Sequence, residues 1–506
     1  MLSRMIFYSK RFLLAMTWTS SIASAQAYLH LNSDLVLHPD QVSGVFMSAA
    51  DKINKSSEWN WPELSFTSPY QTRWTGVKAK GPFTLAVHTE QLNAQEVSFE
   101  LYWPNPTITA ENFNVHDTVI RDIGGVQVII NIDGACQQLT WQAPGANWKV
   151  RGKLSWYLVG NEVQAQWREF VFQPTNASTP TTQIGPCQGP EMVSTALRDN
   201  VAALTSDNGK LSELIQKGIL LWLNSSLQPF NAELMKAQQA PVKDGLTLLW
   251  QPQTVMNLPG GMLRVPGVLS LRRDGMNNIP MSINRTQSDE VLATARESGF
   301  VLPKTALDEV TRFIFATGDL KRRYLSTEVK SFQDLMNNSF NRNYVWPDLS
   351  NFSTRTLFYF DLSTEAPPYL TNLRANSSSG GVAYDVRVPV LLNDWAPYGG
   401  TYYPYVDFRS TAKGIARLTV ESGKLNLRLP TSSLPLSGAF RSEFKRKRTV
   451  DEYLDTGRLS TAVKDMLNQK VILLDLPTWQ IRQGQNINIT NVKVWGESVF
   501  LPLVLK

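Results

Sequence analysis

Histidine and cysteine are scarce in this chain, which has four histidines and two cysteines among its 506 residues. No two histidines stand at the spacing of a zinc protease, and the chain lacks both a Gly-x-Ser-x-Gly elbow and a glycine-rich phosphate loop. We interpret the isolated histidines as structural; they are His30, His38, His88 and His116. Nothing in the sequence recommends catalysis, and we expect the protein not to be an enzyme.

The chain also lacks a long hydrophobic run and a strong charge of one sign. Its best apolar stretch after the N-terminus, 218–223, is far shorter than the roughly 20 residues with which a helix crosses a bilayer. There are 49 basic and 43 acidic residues, so the net charge is +6. An excess this small in a chain of this length does not predict a nucleic-acid partner.

The N-terminus has the pattern of an export signal, which we place at 1–27. Arg4, Lys10 and Arg11 precede an apolar stretch over 12–18, and small residues at 23–27 offer cleavage sites. No cysteine follows at the position of a lipid attachment site. We therefore expect a free protein that is periplasmic or secreted. A membrane anchor that is retained is the alternative.

The two cysteines, Cys136 and Cys187, favour a single disulfide if the protein reaches an oxidising compartment. Such a bond would join a strand that ends near Cys136 to the start of a helical region after Cys187. Two free buried thiols are an alternative. A zinc site is a weaker one, because no histidines stand nearby to complete the ligand set.

The length beyond the signal is too great for one hydrophobic core and predicts two domains with a junction. We place the N-terminal domain at 28–238, the junction at 239–300 and the C-terminal domain at 301–506. Each half shows the same order, which is a helix, a series of strands and a long helix. The repeat lies in the order of the elements and not in a residue-level period.

In the first half, the spacing of apolar residues predicts a helix over 39–53, another over 191–204 and a long one over 211–235. Pro229 lies inside the last pattern and is expected to kink or end that helix. Alternating apolar residues predict a strongly bent antiparallel sheet between the first two helices. Its strands are predicted at 83–87, 97–103, 126–132, 154–158 and 163–167.

The second half begins with a predicted helix over 305–315, which Gly318 is expected to end. Alternation over 382–390 predicts a strand, and 418–429 has the pattern of a hairpin. A long helix is predicted over 449–467, where Thr449 and Glu452 have the spacing of a capping box. Further strands are predicted at 487–489, 492–494 and 499–505.

Four short segments, taken in their order along the chain, resemble one family of proteins. They are 224–230 (NSSLQPF), 307–325 with ATG at 316–318, 363–370 (STEAPPYL) and 418–425 (LTVESGKL). These segments are similar to parts of the family of bactericidal/permeability-increasing protein, lipopolysaccharide-binding protein and the cholesteryl ester and phospholipid transfer proteins. The spacing of the two cysteines also suits the single disulfide of that family.

The resemblance implies an α+β fold made of two tandem tubular domains. Each would be a strongly bent antiparallel sheet wrapped around a long amphipathic helix, and a central sheet would join them into a boomerang. It implies phospholipid or another amphipathic lipid as partner, transient contact with a membrane surface, and no cofactor beyond the bound lipid. The helix faces expected to hold lipid are Val45, Phe46, Ala49, Ile53, Ile215, Ile219, Leu223, Leu227, Leu307, Val310, Ile314, Val463, Met466 and Leu467.

Two regions depart from the family pattern. The endotoxin-binding members carry dense basic residues at the tip of the first domain, where this chain mixes acidic and basic residues, so the resemblance does not extend to endotoxin binding. An aromatic loop at 395–408 has no match, and either touches a membrane interface or is stiffened by stacked rings. A basic run at 445–448 either meets lipid phosphates or is a solvated approach to the following helix.

The residues alone leave other functions open. The spacing on the helix faces is also typical of an ordinary packed core. A scaffold or adhesin, with tubes that are filled by their own side chains, is therefore the alternative to a lipid-binding protein. An esterase ranks below both.

Overall fold

A computed structural model describes the chain over 26–67, 70–90, 95–175, 179–189, 191–206, 208–241, 246–274, 280–283, 288–318, 320–337, 356–375, 381–398, 400–421, 424–428, 431–433, 437–440, 460–461, 463–465, 471–475, 479–482, 485–489, 491–496 and 498–505. Over these residues the fold is α+β and rich in sheet. The strands pair mostly antiparallel, and helices are few. The expected fold class is confirmed at this level.

The first half contains most of its strands between two helical regions. The strands are β1 (Gln26–Leu37), β2 (Glu58–Asn60), β3 (Leu64–Phe66), β4 (Thr72–Thr75), β5 (Lys78–Lys80), β6 (Thr84–Thr89), β7 (Glu96–Pro104), β8 (Thr107–Ile123), β9 (Val126–Gln142), β10 (Asn147–Val159), β11 (Glu162–Thr175), β12 (Thr181–Ile184) and β13 (Cys187–Gln188). The helices are α1 (Pro39–Lys55), α2 (Glu191–Ser206) and α3 (Asn208–Leu234).

Shorter elements follow in the middle and in the second half. The strands are β14 (Gln238–Pro241), β15 (Leu246–Pro252), β16 (Met256–Asn257), β17 (Leu263–Asp274), β18 (Pro280–Ile283), β19 (Gly299–Pro303), β20 (Arg322–Leu325), β21 (Tyr359–Thr364), β22 (Tyr369–Ala375), β23 (Val382–Tyr398), β24 (Thr401–Glu421), β25 (Lys424–Arg428), β26 (Thr431–Ser433), β27 (Ser437–Phe440), β28 (Val471–Asp475), β29 (Trp479–Arg482), β30 (Gln485–Ile489), β31 (Lys493–Trp495) and β32 (Ser498–Leu505). The helices are α4 (Asp289–Leu292), α5 (Ala306–Ala316) and α6 (Lys330–Asn337), with a 3-10 turn at Pro259–Gly261.

One sheet combines strands from the start, middle and end of the described chain. β1 lies between β17 and β19, and β19 pairs in turn with β32. Asp34 on β1 is buried and accepts a hydrogen bond of 2.7 Å from Nε of Arg264 on β17. Arg264 also contacts Asp289 at the start of α4. Because a buried charge is costly unless it is paired, this network favours one register of β1 against β17.

The first half has two further sheets. One has the order β11-β10-β7-β6, and the other contains β12-β9-β8-β4-β3. Their inward faces meet α1, α2 and α3 in one hydrophobic core that is rich in tryptophan. The strands predicted from alternation are present here as β6, β7, β9, β10 and β11, and each is longer than its apolar signal.

The hairpin formed by β8 and β9 extends beyond its sheet. The two strands pair antiparallel in a single register, from Thr107 opposite Gln142 to Ile123 opposite Val126. β4 pairs only with Asn112–Val115, and β13 only with Ala135–Cys136. Residues 118–131 therefore pair only with each other among the described strands.

A single disulfide joins Cys136 and Cys187, as expected, with their Cα atoms 4.0 Å apart. The two residues lie opposite each other in the pairing of β9 with β13. The expectation that a strand ends near Cys136 is wrong. Cys136 lies inside β9, because this strand continues to Gln142 as the partner of β8.

The helices of the first half follow their predicted spans closely. α1 ends at Lys55, α2 runs from Glu191 to Ser206, and α3 runs from Asn208 to Leu234. Pro229 lies inside α3 and does not end it. In the two turns that precede this proline, the hydroxyl groups of Ser225 and Ser226 donate to the Trp222 carbonyl, at 2.7 and 3.0 Å.

In the second half, β20-β21-β23-β24-β25-β28 form the path of another sheet. α5 ends as predicted, with Gly318 at a φ of 75° after the last turn. The segment at 395–408, expected to be a loop, is instead the end of β23 and the beginning of β24, with Tyr398 opposite Thr401. The helix predicted at 449–467 lies outside the described residues except for helical 460–461 and 463–465.

The predicted hairpin over 418–429 is present, with β24 and β25 paired from Arg417 opposite Arg428 to Glu421 opposite Lys424. Of the export signal predicted at 1–27, residues 1–25 lie outside the described residues, and Gln26 and Ala27 begin β1; the basic run at 445–448 also lies outside them. The domain boundaries and the tubular form of the two halves stay predictions. No helix among the described residues is long and apolar enough to cross a membrane.

Candidate functional site: an apolar groove between two helices

A groove of about 690 Å³ lies between α1, the short strand β2 and the C-terminal half of α3. This volume is within the usual range for pockets that hold small organic ligands. Its lining is Val45, Ser48, Ala49, Lys52, Ile53, Ser56, Glu58, Trp59, Asn60, Trp222, Ser226, Pro229, Phe230, Ala232 and Glu233.

The position of α1 is fixed at both ends. Pro39 occupies the start of the helix, where its missing N–H costs nothing, and His38 serves as the N-cap. Near the other end, the Asn54 amide donates to the Leu85 carbonyl at 2.7 Å and accepts from the Leu85 N–H at 2.8 Å. These two hydrogen bonds to the backbone of β6 hold the last turn of α1, which carries Ile53, beside the groove.

Two asparagines attach α3 to the edge of β11. Asn231 accepts from the N–H of Val163 at 2.9 Å and donates to its carbonyl at 3.1 Å. Seven residues earlier, or about two helical turns, Asn224 accepts from the N–H of Ala165 at 2.7 Å. β11 pairs with β10 along one edge, so these amides satisfy backbone groups on its other edge. They set the rotation of α3 and so the face that it turns to the groove.

The floor of the groove is aromatic and aliphatic. Trp59 and Trp222 meet edge to face with their ring centroids 4.8 Å apart, and Phe83 also contacts Trp59 edge to face, at 5.8 Å. Trp59, Trp222 and Phe230 are all buried. Edge-to-face contacts of this kind hold the rings in fixed orientations. The floor is therefore a rigid apolar surface.

The rim of the groove is polar and carries charges. Glu58 forms an ion pair with Lys80, with Nζ 3.6 Å from Oε1, and Glu233 forms one with Lys236 at 2.8 Å. Lys52 is exposed on the outer turn of α1. The groove thus presents an apolar floor beneath a solvated rim, which suits a ligand with one apolar and one polar end.

Three of the residues predicted on α1 line this groove: Val45, Ala49 and Ile53. The fourth, Phe46, is fully buried and packs against Trp156 on β10 with the two rings tilted at 50° and their centroids 6.3 Å apart. The structure therefore brings most of the predicted α1 face to one cavity. Its role in holding lipid stays a prediction.

The residues predicted on α3 do not line the groove. They have no exposed surface and belong to the hydrophobic core; they are Ile215, Ile219, Leu223 and Leu227. The groove instead takes Trp222 and residues of α3 that follow it at about one, two and three turns, namely Ser226, Pro229, Phe230 and Glu233. Trp222 and Phe230 belong to the broad apolar pattern of this helix, whereas Ser226 and Glu233 are polar and add nothing to that pattern.

The predicted residues of the second half are not brought together around a comparable described groove. On α5, Leu307 and Val310 are half-buried and Ile314 is buried, where the helix packs against β1 and β22. Val463 is fully buried in the described helical fragment. Met466 and Leu467 lie outside the described residues.

Sequence reasoning missed Trp59 and Asn60, which contribute to the groove from β2. This strand has three residues, too few for a periodic signal. A tryptophan between two polar residues was the only local sign that one side of the strand is buried.

No protein-family model matches the chain, and no curated protein matches it in sequence. Among solved structures it is similar to lipopolysaccharide binding protein, with 10% identity and a TM-score of 0.34 over 94% of this chain and 98% of that one. It is similar to P47 from Clostridium botulinum A2, with 10% identity and a TM-score of 0.25 over 94% of this chain and 97% of the other. Takeout 1 of Epiphyas postvittana has 10% identity and a TM-score of 0.22, over 36% of this chain and 85% of its own. At these TM-scores neither fold nor function is inferred from the similarity, and membership of the family named above stays a prediction.

Proposed function

We propose that this chain binds an amphipathic lipid, with an acyl chain in the groove between α1 and α3 and the polar head at the rim. The observation that carries the proposal is the combination of a rigid apolar floor with a solvated rim in one cavity of about 690 Å³. Water is a poor occupant of such a floor, because aromatic and aliphatic side chains offer it few hydrogen-bond partners.

The driving force is the transfer of methylene groups out of water. Each buried methylene contributes about 0.8 kcal/mol, so a chain of roughly a dozen methylenes gains about 10 kcal/mol before losses. Ordering the chain and losing its free motion reduces this gain substantially. The balance gives reversible binding, as a protein that sequesters lipid or moves it between membranes requires.

The proposal includes an exported protein that works in the periplasm or outside the cell and performs no covalent chemistry. Export is supported by the pattern at 1–27, and an oxidising destination is consistent with the bond between Cys136 and Cys187. Phospholipid is the simplest ligand of the required chemistry, since it combines acyl chains with a polar head.

The direct test is organic extraction and mass spectrometry of protein that has been purified without detergent. We expect co-purifying lipid in the wild type and much less of it in Ala49→Trp, because the indole would occupy the groove. Ala202→Trp, at an exposed position of α2, is the matched control and should retain lipid. Equal lipid content in the wild type and both variants would contradict the assignment to this groove.

One observation favours a second candidate, a scaffold or adhesin without a lipid ligand. The α3 face with Ile215, Ile219, Leu223 and Leu227 has no exposed surface, so side chains of the protein itself already fill the space that it faces. A protein that is free of lipid after gentle purification, and that also fails to bind a fluorescent fatty acid, would support this candidate instead.

A further inference from the structure

The end of the β8–β9 hairpin exposes large apolar side chains in the described structure. Ile120 is 62% exposed, Ile123 59%, Val126 63% and Ile129 67%. Val128, beside them, is 37% exposed. These five residues lie within ten positions of the chain. Apolar surface concentrated in this way usually marks an interaction site.

The hairpin is built to hold this end away from the body of the protein. Residues 118–131 have no described neighbouring strand other than each other, and Val119 and Ile130 still pack against the hydrophobic core. Beyond this pair, the last four residues of each strand, or roughly 13 Å, project from the body of the protein. Gly124 and Gly125 form the turn with φ values of 66° and 85°, and Asp122 accepts a hydrogen bond of 2.7 Å from the Gly125 N–H. Two central residues with positive φ give the turn type that matches the twist of a tight hairpin.

The apolar side chains lie on both faces of the projecting strands. Residues that are directly opposite share a face, so Ile123 and Val126 point to one side of the hairpin. Ile120 and Ile129 are opposite each other three residues further back and point to the other side. A flat protein partner would cover one face only. An environment that surrounds the tip buries both.

We infer that this hairpin tip enters the interfacial region of a lipid bilayer and docks the protein on the membrane. The inference rests on the proposed function, for which it supplies the surface that meets the donor or acceptor membrane. It concerns residues remote in sequence from the groove, so the two can fail separately.

The depth of insertion follows from the polar residues. The Ile123–Val126 pair lies three positions beyond the Ile120–Ile129 pair on each strand, which corresponds to about 10 Å along the strands. Interfacial elements bury their apolar parts by about 5–10 Å. Both hairpin edges carry unpaired backbone groups, which the hydrocarbon interior does not tolerate. Arg121, Asp122 and Gln127 therefore stay at the level of the headgroups, and the tip does not cross the bilayer.

The charges around the tip favour a zwitterionic lipid surface. Asp122 stands near the tip and Asp117 and Asp133 at the base of the projecting part, against a single arginine, Arg121. His116 lies 3.5 Å from a carboxylate oxygen of Asp133. With no basic excess here, electrostatic attraction to anionic lipid does not contribute, and the docking depends on apolar burial.

The test is flotation of the full-length protein with vesicles of phosphatidylcholine, alone or mixed with phosphatidylglycerol. We expect the wild type to float with both, and the double variant Ile123→Ser/Val126→Ser to partition at least about tenfold less, since two side chains lose most of their burial. The control is Val171→Ser/Ile415→Ser, which removes apolar groups that are 48% and 39% exposed elsewhere. It should float like the wild type.

A second measurement locates the tip directly. The only two cysteines are joined to each other, so Val126→Cys provides one thiol for an environment-sensitive NBD label. Its emission should rise and shift to the blue when phosphatidylcholine vesicles are added, whereas the same label at Ile415→Cys should not respond.

Several results would overturn the inference. These are equal flotation of the wild type and the tip variant, an unresponsive label at position 126, or binding that needs phosphatidylglycerol and disappears in salt. A tip variant that changes the oligomeric state by light scattering, but not flotation, would assign the surface to a second copy of the chain. If the tip variant loses flotation yet still contains extractable lipid, the docking and groove assignments both stand. If docking fails while lipid is present, only the hairpin assignment falls.

Discussion

The side-chain amide of Asn231 on α3 forms two hydrogen bonds with the backbone of Val163 on β11, one as acceptor and one as donor. Asn231 is only 9% exposed. The pair lets a helix take the place that a neighbouring strand would have at this edge of the sheet. It also ties the wall of the groove to the core.

Replacing Asn231 with leucine should lower the free energy of unfolding by about 1–3 kcal/mol, because the N–H and carbonyl of Val163 would lose their partner in a buried place. Chemical unfolding followed by tryptophan fluorescence measures this. Gln228→Leu, an exposed position on the same helix, should change the value by less than about 0.5 kcal/mol. Similar losses in the two variants would mean that the helix surface, and not the hydrogen bonds, is responsible.

Gly218 on α3 marks a close approach between this helix and Trp61. A Cβ atom at this position would lie 2.5 Å from Cε3 of the indole, well inside van der Waals contact. Gly218→Ala should therefore cost about 1–3 kcal/mol of stability through overpacking, although alanine normally favours a helix. Gly209→Ala, exposed near the start of the same helix, should be neutral or stabilising. Thermal unfolding of both variants decides, and a stabilised Gly218→Ala would show that the contact relaxes freely.

Removing the disulfide should destabilise the protein without changing its fold. The bond between Cys136 and Cys187 spans 51 positions of sequence, for which the chain-entropy estimate is about 4 kcal/mol. Cys136→Ala/Cys187→Ala should show this loss in urea unfolding, and reductant should affect the wild type but not the variant. A wild type that is insensitive to reductant would indicate that the thiols are not joined in solution.

Asp394 should make stability depend on pH. Its side chain is fully buried on the inward face of β23, opposite Phe360 on β21. Burial raises the pKa of the Asp394 carboxyl well above its usual range, and a contact with the backbone of Trp395 only partly opposes the shift. Folding therefore takes up a proton. The stability associated with this group is present below about pH 4 and is lost as the pH rises toward the raised pKa, by about 1.4 kcal/mol per pH unit.

Asp394→Asn removes the titration and should become progressively more stable than the wild type as the pH rises from about 4. Equilibrium unfolding across the pH range measures the difference. Asp385→Asn serves as a control of opposite sign, because hydrogen bonds from Arg374 and Asn372 lower the pKa of Asp385. The stability that the Asp385 carboxylate contributes to the wild type is lost as the pH falls through its lowered pKa. Parallel pH profiles for the wild type and Asp394→Asn would show that the carboxyl is solvated.

Local periodicity predicted those elements whose burial is continuous along the chain. α1 and β23 follow from the spacing of Val42, Val45 and Phe46 and from the alternation that begins at Val382, because one face of each element is buried throughout. The prediction of a loop from Trp395 onward is wrong, because this segment lacks such a continuous pattern. Pro397 and Pro404 interrupt its pattern, and only pairing between β23 and β24 shows that both prolines lie within strands.

The candidate site was partly predictable. The apolar stripe on α1 identified Val45, Ala49 and Ile53, which line the groove. Which residues of α3 line the groove could not be predicted from the sequence, because that helix has apolar residues over more than half of its circumference. Its rotation is set by the amides of Asn224 and Asn231, and these form hydrogen bonds with residues about 60 to 70 positions away in the chain.

The position of β1 in its sheet has a consequence for how the protein is made. This strand, which emerges early during synthesis, lies between β17 and β19, and β19 cannot complete its own pairing until β32 is present. Contacts of such high sequence separation slow folding and leave strand edges exposed in the meantime. This one sheet is therefore completed only after nearly all of the described chain has been translated, whereas the other sheets of the first half need only strands that precede α2.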